Sequence, residues 1–307
     1  MQPLDLQLNG YKGIDFNADG LSALALRQAC AAVRAEGGGR MLATVITDRL
    51  DRMTARIGRL TELRAADELV ADVIAGIHVE GPFLSPLPGF VGAHPAEHVL
   101  PATVTAAQRL VAAGRGLVRL VTLAPEHDAG YATTRWLADQ GILVSAGHCD
   151  PPVDVLDRAI DAGLAAFTHL GNGCPLTLHR HDNVIQRVLA ADRLRWVMLI
   201  PDAVHLPPAM VRTVIRAVGI TRVIAVTDAT AAGGMGVGRF SLAGQEVLVD
   251  AGGAAWAADR SHLVGSTASM ARIRQVLRDL VGLTAEEIRQ TTEINPARAL
   301  ADATRGA

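Results

Sequence analysis

The chain has 307 residues, half of them apolar and 20% charged, with a formal net charge of −2, the balance of a globular protein whose length fits one large α/β barrel. There is no basic excess, and aromatic residues make up only 3%, which excludes a basic, base-stacking nucleic-acid surface. Cys30, Cys149 and Cys174 are widely spaced, and no apolar run reaches the roughly 18 residues of a membrane span, so a cytoplasmic protein that is neither secreted nor inserted in a membrane is expected.

In chain order, short runs rich in Val, Ile, Leu and Ala alternate with longer stretches of helical period, which predicts repeated βα units. The predicted strands are Leu4–Leu8, Met41–Ile46, Val73–His78, Leu117–Leu123, Ile142–Ala146, Ala165–Thr168, Trp196–Ile200 and Val223–Val226. These runs are predominantly apolar, as strands buried on both faces are. Helices are predicted between them, among them Leu21–Ala35, Ala102–Ala113, Pro152–Ala162 and Pro207–Val218. Past the eighth run, Phe240–Leu248 and Ala254–Ala258 predict a hairpin turned at Gly252-Gly253, and helices over about Ser266–Leu280 and Ala285–Thr292 finish the chain. The expected fold is thus a single (β/α)8 barrel spanning 1–307, with a small β-hairpin insertion after strand 8.

Chemistry in such a barrel sits where strands end. The polar residues there are Gln7 and Asn9, Glu80 in "GIHVEGPF", His148 in "VSAGH", His169 in "FTHLGN", Asp202 and His205 in "IPDAVH", and Asp228 in "VTDAT". A carboxylate and two imidazoles form a catalytic zinc set with coordination positions left open, and Glu80, His148 and His169 supply one. Any one such histidine, taken alone, reads better as a hydrogen-bonded rim residue, but three at the mouths of strands 3, 5 and 6 converge. Asp228, at the end of the last strand, is placed to take a proton from water and deliver it to a leaving amine, although an isolated Thr-Asp is also a good turn or helix cap. His78 shares the face of Glu80 and is left unassigned. Lys12 is the only lysine, so carbamylated-lysine or Schiff-base chemistry has no other source.

Taken together, "DLQLNGYKGIDFN", "HVEGPFLSP", "GAHP", "VTLAPE", "VSAGH", "THLGNG", "DAVH", "VTDAT", "LVGST" and "NPAR" resemble, in order, the motifs of the N-acetylglucosamine-6-phosphate deacetylases of the amidohydrolase superfamily. The resemblance implies a metal-dependent barrel in which Glu80, His148 and His169 hold the ion and Asp228 is the acid/base. It places His94 against the substrate carbonyl and Asn172 and Gly173 against the sugar. It sets Asp202, His205, Gly265 and Ser266 around the substrate's polar groups, with Arg180 near the phosphate. Many superfamily members open with His-x-His, which binds a second metal; Gln7 and Asn9 stand there, so one divalent ion per chain is expected. Zinc is the default, and Fe, Co, Mn or Ni are chemically compatible.

The pattern departs from the family at Gly171-Asn172-Gly173-Cys174, at the "HRHDN" of His179 to Asn183, and at the "PDAVH" of Pro201 to His205. The family's β-sandwich, built from both termini, has no counterpart, so a bare barrel is expected, in a homo-oligomer such as a dimer. The resemblance implies removal of acetate from N-acetylglucosamine 6-phosphate. Deacylation of another N-acylated sugar or amino acid, and a barrel that binds sugar phosphate without turnover, are the alternatives.

Overall fold

The computed structural model describes residues 2–305. Eight parallel strands, β1 (Leu4–Leu8), β2 (Arg40–Ile46), β3 (Ile74–Glu80), β4 (Val118–Leu123), β5 (Leu143–Ala146), β6 (Leu164–Phe167), β7 (Trp196–Leu199) and β8 (Val223–Ala225), pair in sequence order. The sheet comes round on itself where Asp228 N donates to Gln7 O at 2.9 Å and Asn9 N donates to Ala229 O at 2.7 Å. These two bonds join the chain just past β8 to β1, and they make the expected barrel. Among the described residues no helix is long and apolar enough to cross a membrane.

The intervening helices are α1 (Ala23–Ala35), α2 (Leu50–Ala65), α3 (Glu68–Val73), α4 (Val104–Ala113), α5 (Ala132–Asp139), α6 (Val153–Asp161), α7 (Val184–Leu189) and α8 (Pro208–Val218). Their apolar stripes pack on the outer strand faces, as Leu26, Cys30 and Val33 of α1 show. Inside the barrel, Leu6, Leu42, Leu120, Leu143, Met198 and Ile224 fill the floor. Nearer the strand ends the interior turns polar. Register pairs Glu80 with Thr122 and Thr122 with Ser145, in one layer.

Three departures from the sequence expectation have local causes. Strand β3 runs on to Glu80 rather than ending at His78, because Val79 and Glu80 stay in register with Val45 and Ile46. The insertion is a three-stranded meander, β9 (Gly238–Leu242), β10 (Gln245–Val249) and β11 (Ala255–Ala257). The single strand expected over Phe240–Leu248 is folded in two at Ala243-Gly244, both at positive φ (51° and 87°), the backbone of a two-residue hairpin turn. Beyond α9 (Met270–Val276) and α10 (Ala285–Arg289), an unforeseen helix, α11 (Asn295–Arg305), closes the barrel floor with Ala299 and Leu300. Asn295 fixes it there, donating to Ile220 O at 2.9 Å and Val223 O at 2.6 Å.

Candidate active site

At the strand ends the backbone is bent in an unusual way. His148 (φ 52°), His169 (φ 32°) and Asp228 (φ 50°) all lie in the left-handed region, which costs a residue other than glycine about 1–3 kcal/mol and persists only where surrounding bonds impose it. Those bonds are present. Ser85 N donates to His148 O (3.0 Å), Asn172 N to His169 O (2.9 Å), and Ser266 N to Asp228 O (2.9 Å).

The bends bring three ligand atoms together, one each from Glu80, His148 and His169, all buried and within 4.8 Å of one another. His169 Nε2 is 2.9 Å from Glu80 Oε1, and His148 Nε2 is 3.3 Å from the same oxygen. The Nδ1 of His148 lies 2.8 Å from Phe90 O, and a carbonyl only accepts, so that nitrogen carries the proton. The Nε2 of that ring therefore faces a carboxylate oxygen of Glu80. Atoms in such buried contact need a proton or a cation between them, and a carboxylate with two imidazole nitrogens is a donor set that fits a divalent ion. Burial acts to raise the Glu80 pKa, but hydrogen bonds to His148 and His169 outweigh it and hold the carboxyl well below its usual range. For His169 burial acts against the charged form, and the Glu80 contact reverses the balance, leaving its pKa raised.

His94 sits beside this cluster, its ring centroid 4.4 Å from that of His148. Its Nδ1 is approached by Thr47 N at 3.4 Å and Thr47 Oγ1 at 2.9 Å. A backbone N–H can only donate, so Nδ1 accepts and Nε2 carries the hydrogen. Burial, then the neighbouring His148, push the His94 pKa down to about 3. The ring is therefore a neutral donor, with Nε2 3.9 Å from Glu80 Oε2.

Asp228 accepts from Asn9 Nδ2 at 2.7 Å. Burial, and then the charge of Glu80, raise its pKa to about 6, within the range of a group that both takes and returns a proton near neutrality. Gln7 Nε2 donates to Glu80 Oε1 at 3.0 Å. The two strand-1 amides thus each orient one carboxylate, a role the sequence does not reveal. The supports from Thr47 and the Phe90 carbonyl are equally hidden, and a backbone oxygen leaves no mark in a residue pattern. His78 lies under the site, 2.8 Å from Thr122 Oγ1, in a chain of hydroxyls with Thr168 and Ser145.

A cavity of about 800 Å³ opens over the cluster. Of the residues expected around a substrate, His94, Asn172, Gly173, His205 and Gly265 line it together with Glu80, His148, His169 and Asp228. Asp202, Ser266 and Arg180 do not. Asp202 lies behind His205, accepting from its Nδ1 (2.7 Å) and from the backbone N–H of Val204 (2.8 Å) and His205 (2.7 Å). Ser266 is buried with its hydroxyl donated to Thr227 O at 2.5 Å. Arg180 is exposed, in a loop drawn outward by the Asn183 cap of α7, which accepts from Ile185 N at 3.1 Å and Gln186 N at 3.2 Å. The meander adds Leu242 and Trp256 to the cavity wall, and the segment after it adds His262 and Leu263, none of them anticipated.

A parallel eight-stranded barrel carrying a buried Glu-His-His cluster at its strand ends is the architecture of the metal-dependent amidohydrolases. No family model matches the sequence. The chain is 32% identical over 299 residues to N-acetylglucosamine-6-phosphate deacetylase of Bacillus subtilis (strain 168), covering 97% of this chain and 74% of that one. It is 31% identical over 301 residues to N-acetylgalactosamine-6-phosphate deacetylase of Escherichia coli O157:H7, covering 97% and 76%. The solved structure of a mutant N-acetyl-D-glucosamine-6-phosphate deacetylase from Mycobacterium smegmatis, in complex with N-acetyl-D-glucosamine-6-phosphate, superposes with a TM-score of 0.88 at 31% identity, over 98% of this chain and 77% of that one. The chain belongs to the N-acetylglucosamine-6-phosphate deacetylase family.

Proposed function

We propose that the chain hydrolyses the N-acetyl group of N-acetylglucosamine 6-phosphate, giving acetate and glucosamine 6-phosphate. Glu80, His148 and His169 would hold one divalent ion, with zinc the default choice among several that such ligands accept. When bound, the ion supplies Lewis acidity and makes water a competent nucleophile near neutral pH.

The chain's own groups account for the remaining steps. The Nε2 hydrogen of His94 is available to the acyl oxygen, where negative charge develops as the carbonyl carbon becomes tetrahedral. Asp228, held by Asn9, removes the proton as the water oxygen bonds to that carbon. It then delivers the proton to the amide nitrogen as the carbon–nitrogen bond breaks, so the amine leaves neutral and the base is regenerated. Asn172, Gly173, His205 and Gly265 surround the sugar, and Asp202 positions His205 from behind.

The observation that carries this reading is the convergence of a neutral hydrogen-donating His94, the Glu80-His148-His169 cluster and Asp228, with its pKa raised to about 6, on one cavity. The test is acetate release from N-acetylglucosamine 6-phosphate by chelator-stripped protein before and after a divalent ion is restored. Tight metal binding with no release of acetate would show a binding barrel and end the proposal.

A further inference from the structure

We infer that His78, Thr122, Thr168 and Ser145 are positioning residues, a bonded polar layer directly under the Glu80-His148-His169 cluster that fixes the spacing of the three ligands and so how tightly they hold a divalent ion. The inference rests on the proposed metal site and concerns the residues that shape it.

All four residues are fully buried, in a barrel whose lower interior is the apolar set Leu42, Leu120, Leu143, Met198 and Ile224. Branched apolar side chains would fill the next layer equally well, whereas a buried hydroxyl destabilises the fold unless it finds a partner. Here every hydroxyl is bonded. Thr122 Oγ1 lies 2.8 Å from His78 Nε2 and 2.8 Å from Thr168 Oγ1, and Ser145 Oγ lies 2.7 Å from Thr168 Oγ1. Each hydroxyl has one hydrogen to give, so the donor chosen at one contact constrains the donor at the next, and the four groups are ordered as a unit.

The layer ties together the strands that carry the ligands. β3 pairs with β4, β4 with β5 and β5 with β6, so the bond between Thr122 and Thr168 runs inside the barrel from β4 to the end of β6, past β5, where no backbone ladder reaches. Each ligand stands one or two residues further along the chain. His78 precedes Glu80 by two on the same face of β3, and Thr168 immediately precedes His169. His148 is reached through Gly147, whose backbone rests on both threonines; a Cβ added there would lie 2.7 Å from Thr122 Cγ2 and 3.0 Å from Thr168 Cβ. Displacing either threonine therefore shifts more than one ligand. Glu80 Oε1 is 2.9 Å from His169 Nε2 and 3.3 Å from His148 Nε2, a spacing in which small shifts change how well one ion meets all three donors.

Zinc binding to the metal-free protein tests this without reference to turnover. Thr122 neither carries a ligand nor adjoins one in sequence; valine there keeps the shape and removes the hydroxyl, whereas serine keeps the hydroxyl and removes the methyl. In a chelator competition Thr122→Val is expected to bind zinc about tenfold more weakly than the unaltered chain, as when an outer partner of a metal ligand is lost. Thr122→Ser is expected to stay within about threefold, although denaturant unfolding should find it less stable because of the space left by the methyl. Leu120→Val, one layer down on the same strand, is the control, with lower stability and unchanged zinc affinity. A fall of less than about threefold in folded Thr122→Val, or an equal fall in Thr122→Ser, overturns the inference, since affinity would then not follow the hydroxyl. Should Thr122→Val fail to fold, Ser145→Ala, which trims one end of the chain of hydroxyls, takes its place under the same criterion. An unaltered chain that binds no zinc removes the metal reading itself, whereas one that binds zinc as well as its Thr122→Val variant does removes only the inference.

Discussion

Gly173 offers a sharp test of how the metal cluster is supported. Its φ is +61°, and a Cβ built there would lie 2.8 Å from His148 Nδ1, 3.0 Å from Cε1 and 3.1 Å from Cγ. Gly92 approaches the same ring, with its own added Cβ 3.1 Å from Cε1, so the imidazole is held between two glycines. In Gly173→Ala the left-handed backbone costs about 1–2 kcal/mol. The ring must also retreat by several tenths of an ångström, which breaks or lengthens the Nδ1 bond to Phe90 O, worth about 0.5–1.5 kcal/mol. A loss of about 1.5–3.5 kcal/mol, the sum of the two costs, is expected in denaturant unfolding of the metal-free protein. Because that bond orients His148 Nε2, divalent-ion affinity should fall about 10- to 100-fold in a chelator competition. Gly116→Ala is the control. It has φ +86° and nothing within 4 Å, so it should show the backbone strain with unchanged metal affinity. A Gly173→Ala protein that binds the ion as tightly as the unaltered chain would refute the argument.

Other expectations follow from the same geometry. Asp228→Asn keeps a donor and an acceptor but cannot take a proton, so kcat should fall by about 10³-fold or more while the bound ion is retained; near-normal turnover would place the base elsewhere. Metal analysis should find one divalent ion per chain, lost in Glu80→Gln, and two tightly held ions would contradict the single cluster. Arg180→Ala should leave kcat/KM unchanged for phosphorylated and unphosphorylated sugar alike, and a loss confined to the phosphorylated one would restore Arg180 as its ligand. Asp228, the proposed base, would work as a carboxylate, and its pKa without metal is about 6, so activity should fall as pH drops through that value. A nearby cation favours the carboxylate and moves this limb lower, so an acid limb centred above about pH 7 would exclude Asp228 as its source.

The strands are readable because parallel strands buried on both faces are continuous apolar runs, and the residues just past them are readable because barrel chemistry collects there. That logic singles out Glu80, His148, His169 and Asp228. It cannot find α11, whose place depends on Asn295 reaching carbonyls more than 70 residues away. Nor can it find the second strand hidden in Phe240–Leu248, since Ala-Gly is a weaker turn signal than Asn-Gly. Asp202 follows a strand and so reads as a substrate contact, yet its two oxygens are taken up by His205 and the turn that carries it. Position along a strand shows which residues are near the mouth. It does not show which of them face the cavity and which face one another.

The seam between β8 and β1 shows why that distinction matters for mechanism. Asp5 accepts from Thr227 Oγ1 at 2.6 Å, and Asp228 N donates to Gln7 O at 2.9 Å, so Asp228, the proposed base, is held by the bonds that close the barrel. Further along the chain from Asp5, Gln7 and Asn9 turn their amide groups to Glu80 and Asp228. An amide nitrogen brings hydrogens where a histidine would bring a lone pair. It can orient a carboxylate but cannot ligate a cation through that atom. Gln7 Nε2 thereby occupies one approach to Glu80 Oε1 while His148 and His169 share the others. With amide nitrogens rather than imidazoles turned to Glu80 and Asp228, the β1 end orients the two carboxylates. The amide pair supports the proposal of a single ion with Asp228 as the proton carrier.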